Sequence, residues 1–131
     1  MRQIKFRAWD KQDEKMYYPE QKVFCIDLSG NIRQHPSLGV IDDVVLLQFT
    51  GMLDINGKEI YEGDIVSFEH VAGYEIENSK IFWDDETSSF SCNFKIKNSY
   101  NFHNSTVGNL SNDCKALKII GNIYENKDLI K

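Results

Sequence analysis

The sequence has no apolar run approaching the ~20 residues that span a bilayer as a helix. Its first residues, Met1-Arg2-Gln3-Ile4-Lys5-Phe6-Arg7, carry charge with no apolar stretch among them. Neither a membrane contact nor a secretory leader is expected, and the expected compartment is the cytoplasm. Cysteine is scarce. Cys25, Cys92 and Cys114 are odd in number, lie far apart and form no CxxC pair. That pattern suggests neither a zinc site nor a thioredoxin-type motif, so reduced structural thiols are expected. There is no GxGxxG, no P-loop and no nucleophile elbow. His35, His70 and His103 are scattered without metal-ligand spacing. No cofactor, metal or catalytic set is therefore expected, and the chain reads as a non-enzyme. Internal repeats, low-complexity tracts, heptads and polybasic runs are missing as well.

What is present is the composition of a folded protein, with 41% hydrophobic and 12% aromatic residues. The 131 residues fit one domain, or one domain with an elaborated arm. A chain of that length buries roughly two-thirds of the surface it exposes when unfolded, without a disulfide or metal staple. The net charge of −5 is unevenly placed. Residues 1–45 are balanced, with seven basic and seven acidic side chains. Residues 46–90 hold two basic (Lys58, Lys80) and ten acidic ones, and residues 91–131 hold six basic and three acidic. The acidic middle would repel a phosphate backbone, whereas Lys95, Lys97, Lys115 and Lys118 in the last third could meet one.

The apolar pattern is mostly of period two, which argues strands. Ile4, Phe6 and Ala8 alternate with Lys5, Arg7 and Trp9. After a polar turn over Asp10–Glu14, Met16-Tyr17-Tyr18 can return as a hairpin. Val23-Phe24-Cys25-Ile26 is a short apolar run, and Gly30-Asn31 marks a turn. Residues 33–43 read as a connection. Val44–Phe49 reads as a strand that Gly51 breaks. Asn56-Gly57 predicts a type I′ hairpin turn, and Gly63-Asp64 another turn before a strand at Ile65-Val66-Ser67-Phe68. His70–Ser79 reads as a polar loop. Ile81 and Trp83 alternate into the acidic turn Asp84-Asp85-Glu86-Thr87. Phe90, Cys92, Phe94 and Ile96 alternate through the next strand. Residues 98–113 read as a loop, with room for one short helical turn. Leu117–Tyr124 is the last strand, with a bulge at Gly121-Asn122, and Asn126 would N-cap a short closing helix through Ile130. Short strands with frequent Gly and Asn turns imply an all-β sandwich or small barrel. Residues 1–43 form an N-terminal β arm and connection, and residues 44–131 the C-terminal domain.

Few constellations carry chemistry. Glu59, Glu62 and Asp64 could serve acid–base work or hold a cation. The simpler expectation is that Asp64 accepts backbone N–H bonds while Glu59 and Glu62 face water. Asp54…Asn56-Gly57-Lys58 is a hairpin before it is a ligand loop, and Asp84-Asp85-Glu86 is a solvated turn. Lys5, Arg7 and Trp9 share one face of the first strand. If the monomer leaves that face uncovered, it would anchor a subunit interface. Tyr100 and Phe102, aromatic residues in a polar segment, suit an interface better than base stacking.

The stretch from Gln48 through Thr50-Gly51-Met52-Leu53-Asp54-Ile55-Asn56-Gly57-Lys58-Glu59-Ile60-Tyr61-Glu62-Gly63-Asp64 to Val66 resembles the core signature of the YopX family. Ile4–Asp10 with Lys15–Tyr18 resembles the family's opening, and Ile120-Gly121-Asn122-Ile123-Tyr124-Glu125-Asn126 its close. The signature residues are Thr50, Gly51, Asp54, Asn56, Gly57, Glu62, Gly63, Asp64, Gly121, Asn122 and Tyr124. The chain departs from the family at Lys127, where members commonly place Pro. The resemblance implies a mostly-β fold with a C-terminal SH3-like barrel and a tendency to form homo-oligomers. It also implies that phages, prophages or conjugative elements encode the protein, in a bacterial host cytoplasm. The family has no established activity, so no catalytic residues carry over. The expected function is a non-enzymatic, self-associating protein-interaction or assembly module, with a host or phage protein as partner. The alternative is a nucleic-acid-associated accessory protein, binding weakly through the basic ends or mimicking DNA with the acidic middle. A third reading is carboxylate chemistry at Glu62 and Asp64. Residues 68–115 show no alignable signature.

Overall fold

The computed structural model describes residues 3–21, 24–33, 39, 41–94, 106–109 and 114–130. The chain divides into two compact units, Met1–Phe49 and Thr50–Lys131.

In the first unit, β1 (Phe6–Asp10) and β2 (Lys15–Tyr17) form the expected hairpin, with Trp9 opposite Met16. Asp10 shapes its turn by accepting the N–H groups of Gln12 (2.9 Å) and Asp13 (3.2 Å) on one oxygen. A short hairpin of β3 (Cys25–Ile26) and β4 (Ile32–Arg33) follows. The chain then returns as β5 (Val44–Leu53), whose first half lies antiparallel to β1, Trp9 opposite Val45. Ala8, Trp9, Met16, Val44, Leu47 and Phe49 are buried.

Strand β5 runs through the division between the units. Gly51 does not end it, contrary to the sequence reading. It takes φ +86° within the strand, and the Thr50 hydroxyl beside it donates to the Ile60 carbonyl (2.8 Å) and accepts from Met52 N–H (3.2 Å). The ladder continues to β6 (Glu59–Tyr61).

The second unit is a small β barrel built on a curled five-stranded antiparallel sheet. Its strands are β7 (Asp64–His70), β8 (Glu75–Asp84), β9 (Ser89–Phe94), β10 (Thr106–Asn109) and β11 (Cys114–Asn122), in the order β10-β9-β8-β7-β11. Ile60, Val66, Phe68, Ile76, Ile81, Cys92 and Leu117 form its core. A short 3-10 helix, Lys127–Ile130, closes the chain. The mostly-β class, the small C-terminal barrel and the closing helix are as expected.

Two segments differ from the sequence reading. Most of His70–Ser79 is strand, not loop, and part of 98–113 is β10. The first error has a specific cause. Val66 pairs with Ser79 but Phe68 pairs with Ile76, so β8 carries one extra residue. Asn78 takes it up at φ +56°. The buried positions then run Ile76, Ser79, Ile81, which destroys the period-two signal. Strand β11 carries two such irregularities, one around Ala116 (φ +51°) and one between Ile119 and Gly121, just before Gly121-Asn122 where the sequence placed a bulge. Bulges bend strands. In a flat sheet β9 and β11 would stand three strand spacings apart, roughly 14 Å. Here the sulfurs of Cys92 on β9 and Cys114 on β11 are 3.3 Å apart, which measures the curl.

Candidate functional site

The signature residues 50–66 and 120–126 meet within the second unit, and Asp54 is their hub. It sits at the end of the β5–β6 hairpin and is 7% exposed. One carboxylate oxygen accepts the N–H groups of Asn56 (2.8 Å) and Lys58 (2.9 Å). The other reaches across the unit to Ile119 N–H at 3.2 Å. Ile55 N–H adds a bond to the Leu117 carbonyl at 2.8 Å, so the hairpin tip is tied to β11. Burial alone would raise the Asp54 pKa. The N–H bonds from Lys58, Ile119 and Asn56, with the Lys58 charge, outweigh it and hold the carboxyl below its ordinary value.

The turn is not type I′. Asp54 N–H donates to the Lys58 carbonyl (2.8 Å) and Gly57 N–H to the Asp54 carbonyl (3.0 Å). Of the two residues named for the turn, only Gly57 has positive φ, at +79°. This is the three-residue loop with a left-handed residue in its last position. The Asp54 side chain selects it by capping Asn56 N–H. The same construction occurs twice more. Asp27 caps Ser29 N–H before Gly30, and His70 Nδ1 caps Ala72 N–H before Gly73. In each, the first residue and the fifth close the loop through backbone bonds.

Several other signature positions are also structural in what they touch. Asp64 is 1% exposed and accepts Tyr61 N–H at 2.8 Å, as expected. Gly63 donates to the Ile81 carbonyl and accepts from Ile123 N–H, both at 2.9 Å. A methyl group on it would touch the Ile123 and Tyr124 side chains. Asn122 accepts the N–H groups of Tyr124 (3.0 Å) and Glu125 (2.9 Å). Its own N–H donates to Asn126 Oδ1 at 3.1 Å. Asn126 thus turns back to Asn122 with its side chain and does not cap the closing helix with it. Its backbone carbonyl instead accepts Leu129 N–H at 3.1 Å. Gly121 lies directly beneath, where a Cβ would fall 2.6 Å from Asn126 Oδ1.

The carboxylates take different partners. Glu59 does not simply face water, since it accepts the Tyr61 hydroxyl at 2.8 Å. Glu62 is half-buried. Asp84 shapes its turn by accepting Glu86 N–H (3.0 Å) and the Thr87 hydroxyl (2.8 Å). Among the described residues, no group of three or more His, Cys, Asp or Glu side chains could hold a metal ion. Nor is any helix long and apolar enough to cross a membrane.

The interface residues fall differently. Arg7 (4% exposed) and Trp9 (8%) are buried, so the face they were to present is not open. Lys5 lies over the Phe49 ring, 5.0 Å from its centre. Tyr100 and Phe102 lie outside the described residues, as do His35, His103, Lys95 and Lys97. Lys115 and Lys118 are exposed on β11, with Lys115 directly across from Glu69. Sequence reasoning missed the Cys92–Cys114 contact, which no spacing rule could have revealed.

A family profile described as "YopX protein" matches residues 5–131. No curated protein matches the sequence significantly. Two crystal structures share the fold over 100% of both chains. Protein EF1440 from Enterococcus faecalis has 23% identity and a TM-score of 0.61. Protein YopX from Bacillus subtilis has 17% identity and a TM-score of 0.55. With the profile spanning the opening, middle and closing segments that make up the fold, the chain belongs to the YopX family.

Proposed function

We propose that the chain is a non-enzymatic, self-associating module for protein interaction or assembly, an accessory protein of phages and prophages that works in the bacterial cytoplasm. One observation carries this reading. Thr50, Asp54, Asp64 and Asn122 of the signature bind backbone groups with their side chains, while aliphatic side chains beside Asp54 are open. Leu53 (56% exposed) and Ile55 (60%) flank Asp54, and Ile120 (37%) follows the residue whose N–H Asp54 holds. Large apolar side chains grouped on a surface mark contact sites. A second copy of the chain is the occupant we favour, since the family resemblance implies self-association. A host or phage protein would then bind the assembled form.

Sedimentation at micromolar concentration tests this. A mass that is a multiple of 15.2 kDa is expected, falling toward the monomer in Leu53→Ser/Ile55→Ser. A wild-type monomer at all accessible concentrations would remove the reading. DNA affinity that declines steeply with salt would favour the nucleic-acid alternative instead.

A further inference from the structure

We propose that Cys92 and Cys114 form an oxidation-responsive thiol pair, and that a hydroperoxide converts them to a disulfide that staples the barrel. Three observations converge. The two sulfurs are 3.3 Å apart and share a thiol hydrogen bond, so the two side chains already point at one another. A disulfide needs the sulfurs to close to about 2.05 Å, a shift of roughly 1.3 Å that side-chain rotation and small strand movements can supply. The second observation is graded access. Cys92 is fully buried at 0% exposure, whereas Cys114 is only partly buried at the start of β11. That is the arrangement of a reacting thiol backed by a resolving one. The third is topology. Strands β9 and β11 are separated in the sheet by β8 and β7 and are not hydrogen-bonded neighbours. A bond between them adds a link that the backbone ladder lacks.

The chemistry balances with one hydroperoxide. The Cys114 sulfur attacks the terminal peroxide oxygen. The O–O bond breaks, giving a sulfenic acid and, for hydrogen peroxide, one water once the thiol proton is counted. The Cys92 sulfur then attacks the Cys114 sulfur, the S–O bond breaks, and a second water leaves with the Cys92 proton. Two thiols are oxidised and the peroxide is reduced by two electrons. Cys25 belongs to the first unit and takes no part.

The full chain treated with hydrogen peroxide should lose about 2 Da, the mass of two hydrogens, and alkylation afterwards should label Cys25 but neither Cys92 nor Cys114. Its non-reducing peptide map should join the Cys92 and Cys114 peptides, with reversal by dithiothreitol. Oxidation in urea should lose this selectivity and give links to Cys25 as well. Cys25→Ser should oxidise like the wild type, and Cys92→Ser should stop at oxygenated Cys114 without a cross-link. In the oxidised wild type the urea midpoint should rise, and amide exchange in β9 and β11 should slow. Over-oxidation of Cys114 with Cys92 still a thiol would overturn the proposal. So would links through Cys25 in the native protein, or no reaction at either thiol. The peptide map of the wild type gives this answer whether or not the variants fold.

Discussion

Replacing Asp54 removes the acceptor for three backbone N–H groups at once. Those of Asn56 and Lys58 belong to exposed residues and can turn to water, so each costs only the net value of a charge-assisted bond. Ile119 is half-buried on β11, and its N–H loses its carboxylate partner. Asp54→Ala should therefore destabilise the second unit by about 3–4 kcal/mol. With a urea slope of about 2 kcal/mol per M, the midpoint should fall by about 2 M. Asp54→Asn keeps one acceptor oxygen and no charge. It can serve the turn or Ile119, not both, and should lose about half as much. The pH dependence supplies an independent check. The folded pKa of Asp54 is lowered below its unfolded value of about 4. Its contribution is therefore fully present above that unfolded value and disappears as pH falls through the folded pKa. Asp27, whose pKa is lowered chiefly by the Asn31 side chain, acts in the same direction. Urea titrations at pH 7 and pH 3 should show a smaller acid loss in Asp54→Asn than in the wild type. An Asp54→Ala protein within about 1 kcal/mol of wild type, or an Asp54→Asn protein with unchanged acid sensitivity, would refute this account of the hub.

Other substitutions separate backbone strain from steric conflict. Gly57→Ala enters open space at φ +79° and should cost about 1 kcal/mol, read from thermal unfolding. Gly121→Ala meets Asn126 Oδ1 at 2.6 Å without any positive φ, and should cost about 1–3 kcal/mol by denaturant titration. Pairing it with Asn126→Ala should recover part of that loss, and strict additivity of the two would argue against the clash. Ile60→Ala, at a position 0% exposed in the core, should cost about 2–5 kcal/mol. A small loss would mean that the core can collapse around the missing atoms.

The arm hairpin and the turn at Asp64 were legible because short-range rules govern them. Trp9 and Met16 lie on strands joined by a polar turn, and Asp64 bonds a group three residues away. Asn56-Gly57 located its hairpin, but the turn class was wrong. An aspartate two residues earlier captured Asn56 N–H and made a different loop more stable. The hairpin at His70 was invisible because histidine and alanine stand where the other two such loops carry Asp27 and Ser29, or Asp54 and Asn56. The first half of strand β8 was lost to a single extra residue at Asn78, which reversed the inward-facing set partway along. The meeting of Asp54 with Ile119, of Gly63 with Ile123, and of Cys92 with Cys114 depends on curvature. Curvature arises from left-handed residues such as Asn78 and Ala116, which carry no strong sequence mark.

The hub also orders events during synthesis. Asp54 bonds a residue 65 positions later, and Gly63 awaits Ile123. The first unit has all its strands as soon as residue 49 has been made, whereas the second unit cannot complete its ties until the chain has passed Ile123. A nascent or prematurely stopped chain would thus hold a finished arm beside an unsealed barrel. In that interval the exposed strands are the substrate that chaperones and proteases recognise.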